Sequence, residues 1–111
     1  MTVDLLAPEL EAVFDALGDR TRRRIMKRLE LGPLPVVEIA RDMVVARPAI
    51  SQHLKVLKSA GLVVDRPVGN RRLYELEPDG LDGLRSFLES SWMDVLTRFA
   101  RFADGPSDGK R

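Results

Sequence analysis

The sequence predicts a mainly α-helical fold with one small β-hairpin. Three observations lead there. Apolar residues recur at spacings of three and four along most of the chain, which is the helical period. That period breaks once, at Leu62-Val63-Val64, where a β-branched run begins and Gly69-Asn70 follows as a turn. Helical spacing then resumes near Leu81 and persists to Phe102.

The elements follow in order. Pro8 opens a helix, where its missing N–H is no loss, and Leu10, Val13, Phe14 and Leu17 follow at helical spacing. Gly18 supplies a stop and Asp19 an N-cap for a second helix, Arg20–Glu30, carrying Ile25, Met26 and Leu29. Gly32-Pro33 ends it, and Leu34-Pro35 is a short extended link. Val36–Met43 reads as a short helix with Val36, Ile39, Ala40 and Met43 on one face. Val44–Arg47 is a turn. Pro48 sits in the first turn of the next helix, which runs to Ala60 with Ile50, Leu54 and Leu57 inward and Gly61 at C′. The hairpin comes next: a strand from Leu62, Gly69-Asn70 as residues tolerant of positive φ, and Arg71–Leu76 returning. Pro67 suits an edge strand. Glu77-Pro78-Asp79-Gly80 turns into the last helix, whose stripe is Leu81, Leu84, Leu88, Trp92, Val95, Phe99 and Phe102.

Composition bounds the function. At 111 residues the chain fits one domain with a modest core. It has no cysteine, which excludes disulfides, thiolate metal sites and thiol redox sensing. No apolar run is long enough for a membrane span. Met1–Ala7 carries an acid and no base, unlike the charged start of a secretory signal, so a cytoplasmic protein is expected. Net charge is only +1, but it is unevenly spread. Residues 1–19 hold five acids and no base, residues 20–72 thirteen bases and four acids, and residues 73–111 eight acids and five bases. A basic centre between acidic ends is the footprint of a nucleic-acid binder, although solvated basic helix faces would give the same count. No nucleophile–base pair, phosphate-cradling glycine loop, metal set or paired carboxylates points to an enzyme or to a cofactor.

A short helix, a tight turn and a second helix with a polar outer face make a helix-turn-helix, and a hairpin directly after it makes the winged form. The helix from Pro48 divides its labour accordingly. Ile50, Leu54 and Leu57 face inward, while Arg47, Ser51, Gln52 and Lys55 form an outer face. Arg suits guanine, Gln suits adenine and Ser suits either in the major groove. Lys58 extends the face toward phosphates or bases. Arg66, Asn70, Arg71 and Arg72 on the wing suit backbone or minor-groove contact. Arg47, Pro48, Ser51, Gln52, Lys55, Lys58, Arg66, Asn70, Arg71 and Arg72 are therefore the expected DNA-binding set.

The stretch Pro48-Ala-Ile-Ser-Gln-His-Leu-Lys-Val-Leu-Lys-Ser-Ala-Gly-Leu-Val63 resembles the recognition-helix motif of the ArsR family of bacterial repressors. Phe14-Asp-Ala-Leu-Gly-Asp-Arg-Thr-Arg-Arg-Arg-Ile-Met26 is similar to that family's N-terminal motif, and Asn70-Arg-Arg-Leu-Tyr-Glu-Leu76 to its wing. The resemblance spans about residues 10–102. It implies a homodimeric winged helix whose first and last helices form the dimer interface and which represses transcription from operator DNA. The departures are specific. Pro35 and Val37 stand where the family's metal sensors carry a Cys-x-Cys pair. Asp82, Glu89 and Asp94 alone make a poor site for zinc or a softer metal, so the chain resembles a metal-independent branch. Pro35 and Ala46 also replace the Thr and Ser that cap the two motif helices in many members. Each lost cap costs roughly 1 kcal/mol.

Dimerisation is also expected from width, because the last helix carries more apolar surface than a short winged domain covers. Leu10, Val13, Phe14, Leu84, Leu88, Trp92, Val95 and Phe99 are the expected interface. Trp92 otherwise lines a ligand pocket. His53 lies at i+3 from Ile50, which puts it at the edge of the core, with DNA contact or pH sensing as the sharper readings. Arg20, Arg22, Arg23, Arg24, Lys27 and Arg28 form a basic run whose first members oppose the helix dipole. They either touch phosphate or are compensated by Asp19 or an acidic partner patch. The expected organisation is a single winged helix-turn-helix domain over residues 1–104, with the helix-turn-helix at 36–60, the wing at 62–76 and the dimerisation helix at 81–102. Residues 105–111 form a flexible tail. The expected function is a sequence-specific regulator, a repressor binding a palindromic operator on double-stranded DNA as a homodimer. The alternative is a winged-helix module that binds protein without DNA.

Overall fold

The computed structural model describes residues 8–103, and the expected tail at 105–111 lies outside them. The described residues fall into two compact units divided between Leu81 and Asp82. The first contains α1 (Pro8–Leu17), α2 (Arg20–Leu29), β1 (Leu34–Pro35), α3 (Val36–Ile39), α4 (Arg47–Ser59), β2 (Val63–Val68) and β3 (Arg71–Leu76). The second contains α5 (Asp82–Ala103). The first unit is a winged helix-turn-helix: α3 and α4 are the motif, and β2 and β3 are the wing.

Its core is small and apolar. Ile25 of α2, Ile39 of α3, Ile50, Leu54 and Leu57 of α4, and Leu62 and Val63 at the start of the wing are all fully buried. Each such side chain contributes about 1.5–3 kcal/mol by leaving water. The inward stripe expected for α4 is thus the one observed. α4 ends in a Schellman motif: the Gly61 N–H donates to Lys58 O and the Leu62 N–H to Leu57 O, both at 3.0 Å, with Gly61 at φ +79°. This stop fixes where the chain leaves the helix and enters the wing.

Four details differ from the sequence expectation. Leu34-Pro35 is more than a link. It pairs antiparallel with Tyr74 and Leu73, giving a three-stranded sheet in the order β1-β3-β2. β2 is an edge strand, which accommodates Pro67 opposite Arg72. α3 is one turn long and stops well before Met43, because Asp42 adopts φ +67° and reverses the chain. At the hairpin tip only Gly69 has positive φ, so the two-residue loop has the φ signs of a II′ turn and Asn70 is an ordinary residue in it. α4 begins at Arg47, with Pro48 in its first turn.

α1 and α2 are joined by side chains. Gly18 is not left-handed. Instead Arg22 Nε donates to Ala16 O at 2.6 Å, its Nη2 to Asp15 O at 3.0 Å, and Arg23 Nη1 to Leu17 O at 2.8 Å. Asp19 caps α2, accepting from the Arg22 N–H at 3.0 Å. That bond is the main reason its carboxyl is held below the usual range. The arginines that oppose the dipole of α2 therefore answer the carbonyl end of α1. Arg28 does the same for α3, donating to Glu38 O at 3.0 Å.

Candidate nucleic-acid interface

α4 presents its outer face to solvent. Arg47, Pro48, Ser51, Gln52, Lys55 and Lys58 are all exposed, while Ile50, Leu54 and Leu57 anchor the opposite side. Arg47, Ser51, Lys55 and Lys58 recur at intervals of four, four and three, so they form one stripe along the helix. The wing adds Arg66, Asn70, Arg71 and Arg72, also exposed. β2 and β3 are in register from Val63↔Leu76 to Val68↔Arg71, which brings Asn70 and Arg71 to the hairpin tip.

The cations are not equivalent. Arg47, Lys55 and Arg71 have no carboxylate within ion-pair distance among the described residues. Three others expected to contact DNA carry intramolecular partners. Lys58 Nζ lies 2.8 Å from Asp65 Oδ1, Arg72 Nε 2.7 Å from Asp65 Oδ2, and Arg66 Nε 3.2 Å from Glu75 Oε2. Hydrogen bonds from Lys58 and then Arg72 hold the Asp65 carboxyl below the ordinary range. Sequence reading passed over Asp65 and Glu75. An aspartate inside a β-branched strand is disfavoured there and was the available signal for the first.

His53 is half-buried on the inner flank of α4, away from the exposed stripe. Its Nδ1 lies 3.3 Å from Arg22 Nη1 and 3.8 Å from Asp19 Oδ2. A guanidinium can only donate, so Nδ1 is the acceptor in that contact. The ring sits where α4 meets the α1–α2 joint, at the edge of the core.

At the opposite end of the motif, neither N-cap residue supplies a side-chain bond: Pro35 and Ala46 leave the starts of α3 and α4 without one. Leu10 and Val13, expected at a dimer interface, are only 7% and 6% exposed and belong to the core of their own chain. Phe14 is 39% exposed. α5 has no buried residue, and Leu88, Trp92, Val95 and Phe99 are exposed while Leu84 is half-buried. Among the described residues no helix is long and apolar enough to cross a membrane.

Comparison with known proteins agrees with this geometry. The model of the bacterial regulatory proteins of the arsR family matches residues 19–64, from the α2 cap to the first residues of the wing. The chain is 53% identical over 98 residues to the HTH-type transcriptional regulator Rv2034 of Mycobacterium tuberculosis, covering 88% of this chain and 92% of that one. The chain belongs to the ArsR family. It is also 31% identical over 87 residues to the transcriptional repressor SdpR of Bacillus subtilis, covering 75% of this chain and 97% of the repressor. Among solved structures, an ArsR-like transcriptional regulator from Rhodococcus sp. RHA1 matches with a TM-score of 0.73 at 29% identity, over 92% of this chain and 95% of that one. This ArsR-family member is thus a winged helix-turn-helix whose relatives are transcriptional regulators, a class that binds DNA and is not enzymatic.

Proposed function

We propose that this protein is a transcriptional repressor that binds a palindromic operator as a homodimer in the cytoplasm, with α4 in the major groove. The observation that carries the reading is the exposed stripe of α4, Arg47, Ser51 and Lys55 with Gln52 beside it, on a helix rigidly seated by Ile50, Leu54 and Leu57. Arg47, Ser51 and Gln52 read base edges from the N-terminal half of the helix, where a recognition helix meets them. Pro48 packs on the sugar–phosphate wall, and Lys55 contacts phosphate. Asn70 and Arg71 at the wing tip touch the backbone or the adjacent minor groove.

The partner surface is the apolar stripe of α5, Leu84, Leu88, Trp92, Val95 and Phe99, together with Phe14 of α1. Two-fold pairing sets the two recognition helices about 34 Å apart, one DNA turn. SdpR is called a repressor, and this supports the same direction of control here. Pro35 and Val37 offer no thiolate, so metal release plays no part in the reading.

Selection from genomic fragments, followed by fluorescence polarisation on the selected duplex at several salt concentrations, tests it. The wild type should bind with a specificity ratio of at least ~10³ over unrelated DNA. Gln52→Ala and Ser51→Ala should change the preferred bases, and Arg71→Ala should weaken all duplexes alike. Equal, weak binding to every sequence would overturn the reading. Absence of any binding at micromolar protein would favour the protein-binding module.

A further inference from the structure

We propose that Asp65 is a positioning residue for DNA recognition: it clamps Lys58 of the reading helix to Arg72 of the wing and keeps both cations off the phosphates. The inference rests on the DNA-binding reading above and goes beyond it, because it assigns specificity to a residue that touches no DNA.

Asp65 lies on β2, opposite Tyr74 of β3. Its side chain is only 7% exposed, two residues after the fully buried Val63 and on the same strand face. An anion so covered requires partners, and each oxygen has one. Lys58 Nζ reaches Oδ1 at 2.8 Å from the last turns of α4, and Arg72 Nε reaches Oδ2 at 2.7 Å from β3. Arg72 stands opposite Pro67 and so reaches Asp65 diagonally across the ladder. One carboxylate therefore ties together the two elements that must meet adjacent DNA features at a fixed angle.

Lys58 is on the same helix stripe as Arg47, Ser51 and Lys55, and Arg72 is next to Arg71 on the wing. Left unpaired, both would add attraction for phosphates on any sequence, because backbone contacts carry no sequence information. Held on Asp65 at 2.8 and 2.7 Å, both side chains stay half exposed, but their charged ends are shared with the carboxylate. The triad keeps one net positive charge, held in place between α4 and β3, while the unpaired cations Arg47, Lys55 and Arg71 lie on the stripe and at the wing tip. Asp65 thus lowers non-specific affinity and fixes the wing for specific affinity. Glu75, paired with Arg66 at 3.2 Å, extends the same restraint along the wing.

The test compares wild type, Asp65→Asn and the Lys58→Gln/Arg72→Gln double variant, whose neutral amides can still donate to Asp65, on the selected operator and on an unrelated duplex, across a salt series. Each released phosphate contact adds about 0.9 to the slope of log affinity against log salt. Asp65→Asn should bind unrelated DNA more tightly at low salt, with a slope steeper by roughly 1–2 per protomer, and its specificity ratio should fall about tenfold. The double variant should keep the wild-type slope on unrelated DNA and lose operator affinity. This second arm still decides the matter if Asp65→Asn does not fold. A double variant that loses about two units of slope per protomer on unrelated DNA overturns the proposal, as does an Asp65→Asn protein with unchanged slope and ratio. Wild type that binds no DNA removes the regulator reading, and the clamp with it. Wild type that binds while the variants behave as in the overturning cases removes the clamp alone.

Discussion

Arg22 illustrates how one side chain fixes the packing of three elements. Its guanidinium caps the carbonyl end of α1 at Ala16 and Asp15, and it also donates to His53 on α4. A planar fork with several donors is needed for this, and lysine cannot reproduce it. Arg22→Lys and Arg22→Ala should both lower stability, by about 1.5–3 kcal/mol for alanine, in urea unfolding of the free protein. A lysine variant as stable as wild type would show that charge alone suffices. Two glycines make an opposed pair at the same scale. A Cβ at Gly80 would run into the Gly61 carbonyl oxygen and lie 3.0 Å from the Leu62 Cα, just where α4 hands over to the wing. At Gly83, in the first turn of α5, a Cβ meets nothing within 4 Å. Gly80→Ala should therefore destabilise by about 1–3 kcal/mol, and Gly83→Ala should stabilise by about 0.5–1 kcal/mol. Thermal melts of the two variants against wild type distinguish them by sign.

Among the elements, α4 has a defect that can be repaired. Ala46 holds the backbone of an N-cap, φ −66° and ψ 151°, without a side chain to use it. Ala46→Ser should add about 1 kcal/mol of stability, read as a raised urea midpoint with unchanged m-value. Carboxylates at the joints set the acid response. Asp19 and Asp65 are both held below their ordinary range, Asp19 chiefly by the Arg22 N–H and Asp65 chiefly by Lys58. A depressed folded-state value means that their contribution is complete above the unfolded carboxylate range, near pH 4, and fades as pH falls through the folded values. Stability should drop below about pH 4, and Asp65→Asn should flatten that drop while lowering stability at neutral pH. The local elements were legible in sequence because local chemistry decides them: the cap at Asp19, the stop at Gly61, the inward Ile50-Leu54-Leu57. What escaped was set by distant partners. A two-residue strand at Leu34-Pro35 exists only because Leu73 and Tyr74 lie beside it. The end of α3 depends on a non-glycine residue taking positive φ at Asp42. The sorting of the cations needed Asp65 and Glu75, which spacing alone does not connect to Lys58, Arg72 and Arg66. The outer face of α4 was visible in its period, whereas the difference between Arg71 and Arg72 was not.

For the whole molecule, α5 sets the central prediction. Leu88, Trp92, Met93, Val95, Leu96, Phe99 and Phe102 are all exposed along one 22-residue helix, and no residue of that helix is buried. Monomeric proteins rarely leave a contiguous apolar surface of that extent uncovered, so the helix fits the homodimer proposed above. If a second copy covers it, folding and association are linked. The unfolding midpoint must then rise with protein concentration, by the free energy that mass action adds to the paired state. Trp92 is the only tryptophan in the chain and is 53% exposed in the single chain, so it reports the event directly. Its emission should shift to the blue on pairing and to the red on dilution, over the same concentration range in which sedimentation shows the mass halving. Phe99→Glu places a charge on the stripe and should move that transition to higher concentration by ~10³-fold, the loss expected when an interface anchor of about 2 kcal/mol is removed from each of two protomers. The same variant should keep the fold of the first unit, since Phe99 lies on α5 and is 69% exposed, while operator binding falls with the dimer because two linked recognition helices become two separate ones. A midpoint independent of concentration, with Trp92 emission unchanged on dilution, would show that α5 meets something other than a second copy.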